Sequence, residues 1–356
     1  MDLETLRALP KVSLHDHFDG GVRPQTILEL ADEVGLAVPA DTAEALGDWV
    51  LTQCTGGDLV QYLSTFELTV GVMQTASALE RVGREFVEDL AADGVVYGEI
   101  RWAPEQHLSR GLSLDEAVEA VQRGIEAGID SVAATGRTIR AGQLITVLRH
   151  LDRGLEVAEL AVRHRDRGVV GFDAAGPELG FPASKHRAAF DYLAEHFMPR
   201  TVHAGEADGI ESIRGALIDG RALRLGHGVR IMEDIMLEEQ EDAVQVTFGE
   251  VADWVRDREI PLEISPSSNL QTGAWGRTLE EHPFDTLYQL GFRVTVNPDN
   301  RLMSGTTITD ELAKLIEVYD YDLDDLAVFQ LNAAAGAFLP VEEREELIEL
   351  IARAYE

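Results

Sequence analysis

Cysteine is nearly absent: among 356 residues there is one, Cys54. A lone thiol excludes an internal disulfide and any cluster of cysteine ligands, and it fits a reducing compartment, so packing is its expected role. Lysine is almost as scarce, limited to Lys11, Lys185 and Lys314, and the positive charge is nearly all arginine. Positive charge as a whole is in deficit, with 30 Lys plus Arg against 64 Asp plus Glu and a formal net charge of −34. Such a surface repels nucleic acid, anionic lipid and phosphorylated metabolites and favours a neutral or cationic ligand. Screening within about 10 Å at 0.1 M salt keeps that argument to a tilt. No run of about 18 apolar residues occurs, and the opening MDLETLRALPKVSL is charged and lacks an apolar signal core. The expectation is a cytoplasmic protein with no membrane or nucleic-acid partner. Neither a Pro-, Gly- or Ser-rich linker nor a low-complexity segment divides the chain, so one domain spanning 1–356 is expected, with its oligomeric state open.

What is present is a core of ample size, 45% of the residues being hydrophobic, and a regular alternation. Eight short β-rich runs recur: KVSLHDHF, VVYGEIRWAP, QLITVLRH, GVVGFDAAG, RTVHAGE, LRLGHG, PLEISPSSN and RVTVNPD. Helical periodicity fills the intervals, as in SLDEAVEAVQRGIEAGIDSVAATG, where Ser113 and Glu116 have the spacing of a capping box. Strand then helix, eight times, specifies a (β/α)8 TIM barrel of the α/β class. The first interval is too long for one crossover and holds the helical stretch DLVQYLSTFELTVGVMQTASALERVGREFVEDLAADG. Extra helices leaving the end of strand one would lie over the barrel mouth and could serve as a lid; a decorative insertion is the alternative.

Catalytic groups of such barrels gather at the C-terminal strand ends, and here those ends are polar. His15, His17 and Asp19 end the first strand, His203 and Glu206 the fifth, His227 the sixth, and Asp299 and Asn300 the eighth. Side chains i and i+2 of a strand share a face, roughly 7 Å apart, which suits His15 and His17 to one metal ion. Three imidazoles and a carboxylate suit Zn²⁺; iron, cobalt or manganese accept similar ligands. None of the lysines stands at a strand end to bridge a second ion, so one ion is expected. His164, His186 and His196 fall in helical segments and read as solvated or core-edge groups. His107, in a loop, His150, ending strand three, and His282, before a proline, rank lower as ligands. Taken singly, HAGE could be a turn with Glu206 favouring a helix N-terminus, Gly176 a turn with positive φ, and Glu178 a solvated loop acid.

In order along nearly the whole chain, HDHFDGG, YGEIRWAP, GFDAAGPELGFP, HAGE, RLGHG, EISPSSN, HPF and VTVNPDN resemble the adenosine deaminases of the metal-dependent hydrolase superfamily. The resemblance implies one Zn²⁺ held by His15, His17, His203 and Asp299, with Glu206 as proton donor and His227 beside the activated water. Asp19, Gly176 and Asn300, together with His17, match substrate-binding positions. The implied reaction is hydrolytic deamination of adenosine and 2′-deoxyadenosine to inosine and deoxyinosine plus ammonia, in purine salvage. Asp19 after the His-x-His-x pattern favours a nucleoside over free adenine. A deaminase of adenine or another 6-aminopurine is the runner-up, and a catalytically silent metal-stabilised binding protein a third reading. Two departures from the family pattern fall at strand eight: Pro298 replaces Thr or Ser before the ligand Asp, and Asn300 replaces a second Asp that meets purine N7. Phe18 and Ser265 stand where Leu and Cys are usual.

Overall fold

The computed structural model describes residues 1–55, 62, 64–241 and 243–356. In chain order the strands are β1 (Lys11–His17), β2 (Val95–Trp102), β3 (Arg140–Leu148), β4 (Val169–Ala175), β5 (Thr201–Ala204), β6 (Arg224–His227), β7 (Ile235–Glu239), β8 (Val244–Phe248), β9 (Leu262–Ile264) and β10 (Val294–Val296). Two parallel sheets, β1-β2-β3-β4 and β5-β6-β9-β10, are joined by bridges between Phe172 and Arg200 and between Asp16 and Asp299. Eight parallel strands thereby close on themselves with helices outside, the expected barrel. The last two barrel strands are short for a local reason. Pro266 opens a helix immediately after β9, and Pro298, lacking an N–H, prevents β10 from extending its ladder.

The helix Leu114–Ala133 begins at the expected capping box: Ser113 N–H donates to Glu116 (2.8 Å) and Glu116 N–H to Ser113 Oγ (3.2 Å). Its Val118, Val121, Ile125 and Val132 are buried. Part of the long stretch read in the first interval, 58–61 and 63, lies outside the described residues. The rest includes the helices Phe66–Val72 and Ala76–Ala92, divided where Thr75 accepts a hydrogen bond from Ala78 N–H as the cap of the second. β7 and β8 were not anticipated. They pair antiparallel as an exposed hairpin between barrel strands six and seven, and the charged DIMLEEQED sequence of β7 and the turn dilutes the alternation that marks a half-buried strand. His150 also lies beyond β3, exposed, rather than at its end.

The barrel interior is charged as well as apolar. Arg224 lies between Glu99 and Glu263, donating at 2.5 and 2.6 Å, and Arg101 donates to the other oxygen of Glu263 at 2.7 Å. All four side chains are buried, so each charge depends on its partners. Among the described residues no helix is long and apolar enough to cross a membrane.

Candidate metal centre and reaction cavity

Closure of the barrel assembles the site. Asp299, following Pro298, adopts left-handed backbone (φ 61°), donates its N–H to His15 O (3.1 Å) and accepts from His17 N–H (2.8 Å). Strand alternation turns Asp16 away to an ion pair with Arg301 (2.8 Å) and leaves His15 and His17 beside the Asp299 carboxylate. Oδ1 of Asp299 is 3.1 Å from His15 Nε2 and 3.3 Å from His17 Nε2, while Ser268 Oγ donates to Oδ2 (2.6 Å). From across the barrel, His203 Nε2 comes to 3.2 Å from His17 Nε2. One atom each of His15, His203, His227 and Asp299 all lie within 4.8 Å of one another. Non-glycine residues in the left-handed region are costly and concentrate at functional sites; Asp299 and His227 (φ 63°) are both such residues.

Carboxylates behind the rings set which nitrogen faces inward. His15 Nδ1 lies 3.0 Å from Glu263 and His203 Nδ1 3.0 Å from Asp173. An ionised carboxylate only accepts, so both Nδ1 atoms carry protons and, in the neutral rings, both Nε2 atoms present lone pairs to the centre. Burial pushes His15 down to about 4 and His17 well below the ordinary imidazole range. In Asp299, burial would favour the neutral acid, yet the imidazoles gathered round it, His15 first, hold it well below the usual carboxylate range. His203 shifts the other way: burial disfavours its charge, but Asp173 outweighs burial and raises it. The buried His15 Nε2 has no hydrogen-bond partner and faces the Asp299 oxygen, two lone-pair atoms in a dry pocket that a cation between them would reconcile. The donor set, imidazole nitrogen and carboxylate oxygen, fits a divalent ion such as Zn²⁺. His17, expected among the ligands, and His227, expected beside them, are both drawn to this centre.

Glu206 lines the cavity beside this centre. Its loop is held by Glu178, 4% exposed, whose carboxylate accepts from four successive N–H groups, those of Gly205 (2.7 Å), Glu206 (3.1 Å), Ala207 (2.7 Å) and Asp208 (3.0 Å). Glu178 is thus a buried clamp, not a solvated loop acid; a single sequence offers no signal for this, because the partners lie 27–30 residues away. Arg149 adds to the clamp, donating to His203 O (2.5 Å) and Phe181 O (2.8 Å). Glu206 precedes the helix Ile210–Ile218, whose first turn is filled by Glu211, so the capping reading of HAGE does not hold. Glu206 Oε2 instead stands 3.5 Å from His227 Nε2.

The cavity measures about 80 Å³ and is lined by His17, Gly176, Glu206 and Asn300 and, from the segment between β1 and β2, by Tyr62 and Phe66. Gly176 has φ 96°, so its turn requires glycine as well as facing the cavity. Asn300 donates from Nδ2 to the Tyr62 hydroxyl (2.9 Å), and its Oδ1 lies where a Cβ on Gly20 would come within 2.1 Å. Asp19 is buried with Oδ1 unpartnered and is raised to about 7 by burial, but it is not part of the cavity wall. Of the histidines set aside in the sequence, His164 and His186 are buried and bound to Asp115 and to Arg149 O. His282 proves buried and close to the centre through Asn269, a position that the motifs EISPSSN and HPF flagged without a role.

A parallel eight-stranded barrel that gathers imidazoles and a carboxylate at its C-terminal strand ends has the layout of a metal-dependent hydrolase. The family model described as "Adenosine deaminase" matches residues 10–354, and the chain belongs to the adenosine deaminase family. It is 52% identical to "Adenosine deaminase 1" of Streptomyces coelicolor over 97% of this chain and 86% of that one. It is 49% identical to "Adenosine deaminase" of Mycobacteroides abscessus over 98% and 96%. Among solved structures it is similar to adenine deaminase from Arthrobacter aurescens (TM-score 0.82, 25% identity, covering 97% and 99%). It is equally similar in fold to N6-methyl-AMP deaminase from Arabidopsis thaliana (TM-score 0.82, 26% identity, covering 99% and 99%).

Proposed function

We propose that the chain is an adenosine deaminase, converting adenosine and 2′-deoxyadenosine to inosine and deoxyinosine with release of ammonia in cytoplasmic purine salvage. The reading is carried by one observation: lone pairs of His15 and His203 converge with Asp299 beside a cavity that His203, Asp299 and Glu206 line together. His15, His17, His203 and Asp299 would hold a single Zn²⁺, which when bound supplies Lewis-acid activation of water near neutral pH. Water adds to C6 while Glu206 gives a proton to N1, so the ring nitrogen takes up the electron pair released as aromaticity is lost. The C6–N6 bond then breaks, the proton balance is completed from the added water, and N6 leaves as ammonia. Asp299 and His227 orient the attacking oxygen. Gly176, His17 and the free N–H of the Asn300 amide line the purine, and Asp19, a buried acceptor, is the candidate for the 5′-hydroxyl. An Asn can donate to N7 without first being protonated, so the replacement of the family's Asp at 300 preserves that contact. The cavity is small against the roughly 300 Å³ or more of common ligand sites, so Tyr62 and Phe66 must yield as a nucleoside enters.

The test is ammonia release from adenosine, 2′-deoxyadenosine, adenine and N6-methyl-AMP by purified protein of measured metal content. Adenosine should lead. Faster turnover of adenine or N6-methyl-AMP would transfer the reading to the activities named for the solved neighbours, and no turnover by metal-loaded protein would end it.

A further inference from the structure

We propose that His282 and Asn269 are positioning residues that lock His227 into the tautomer protonated on Nε2, making it a hydrogen-bond donor to the cavity and not a metal ligand. Its catalytic consequence rests on the deaminase reading; the tautomer itself does not. The direction of each hydrogen bond follows from a backbone group that can act only one way. Phe284 N–H lies 3.1 Å from His282 Nδ1, and a peptide N–H can only donate, so His282 Nδ1 is bare. His282 is 3% exposed, and burial pushes it down to about 3, so the ring is neutral and its single proton sits on Nε2. That Nε2–H meets Asn269 Oδ1 at 3.2 Å, which orients the amide with its oxygen toward His282 and its nitrogen away. Asn269 Nδ2 then donates to His227 Nδ1 at 3.1 Å. With Nδ1 accepting, the neutral His227 carries its proton on Nε2, aimed at the Glu206 carboxylate 3.5 Å off.

The chain of three bonds is buried throughout, Asn269 being 0% and His227 1% exposed, so water does not compete for any member. It also decides the ligand set. Proximity alone groups His227 with His15, His203 and Asp299, but a nitrogen that bears a proton has no lone pair to give, and His17 takes the fourth place. An amide is the one side chain that can accept on one edge and donate on the other here; Asp at 269 would accept on both and draw the proton of His227 to Nδ1.

Full-length protein labelled with ¹⁵N-histidine, with and without bound zinc, allows long-range ¹H–¹⁵N spectra to locate each ring proton. The expected pattern is His227 bare at Nδ1 and protonated at Nε2. Asn269→Asp should move the proton to Nδ1 and lower kcat by roughly 10² or more, the scale of a lost proton-positioning group, with KM and zinc stoichiometry little changed. His282→Gln, whose amide still donates, should lose less than His282→Leu. A wild-type spectrum with the proton on His227 Nδ1 overturns the proposal, and decides it even if Asn269→Asp fails to fold. Loss of zinc with Asn269→Asp, an unmoved proton, or equal losses from His282→Gln and His282→Leu would overturn it too. Absence of adenosine turnover by the wild type would instead remove the deaminase reading and leave the spectrum to judge the tautomer.

Discussion

Two sides of one cavity are built from the same residue type and do opposite things. Behind His15 and His203 stand carboxylates, Glu263 and Asp173, both backed by Arg101 (2.7 and 3.5 Å), and their rings turn lone pairs inward. Behind His227 stands an amide, Asn269, and its ring turns a proton inward. An imidazole has one proton to place, and the atom behind it decides where. The function of a histidine in this barrel is therefore written in the residue it leans on, and the histidines themselves look alike in the sequence.

The contrast can be broken most severely on the lone-pair side. His203→Ala removes a proposed ligand and should abolish both metal retention and ammonia release; full turnover by variant protein shown to be metal-free would refute the centre. On the proton side, Glu206→Gln should keep stoichiometric metal while kcat falls by roughly 10² to 10⁴, the usual worth of a positioned acid. Near wild-type kcat would take Glu206 out of the reaction. Asp173→Asn makes the swap opposite to Asn269→Asp, placing an amide behind a ligand. It should weaken metal affinity by about 10- to 100-fold in a chelator competition, with activity recovering as metal is added. An activity loss that excess metal cannot restore would mean that Asp173 does more than orient His203. The smallest effect is expected away from both groups of histidines, at Tyr62→Phe, which removes the acceptor of Asn300. A loss of about 0.5–1.5 kcal/mol in kcat/KM for adenosine, expressed chiefly in KM, fits one neutral hydrogen bond; a much larger fall in kcat alone would place Tyr62 in the chemistry.

The eight runs were legible because parallel barrel strands are continuous apolar segments ending in polar groups, and the motifs at their ends survive in order. The hairpin β7–β8 was not, since both strands are largely exposed and the charged residues of β7 and the turn interrupt the alternation. Extra helices were expected in the first interval, but the position of the break at Met73–Thr75 was not legible, because apolar spacing continues across it while Thr75 caps the second helix.

By itself the sequence determined the barrel and the polar strand ends with their histidines, because period, spacing and side-chain chemistry are local properties. It also supplied the resemblance that led to the family. Only the tertiary structure decided what each of those residues does. Glu178 and Asn269 became a clamp and a relay through partners distant in the chain, Asp19 fell outside the cavity wall, and Asn300 met Tyr62 across 238 positions. A hydrogen bond has a direction, and that direction is set by whichever group the fold places opposite, which no spacing along the chain encodes.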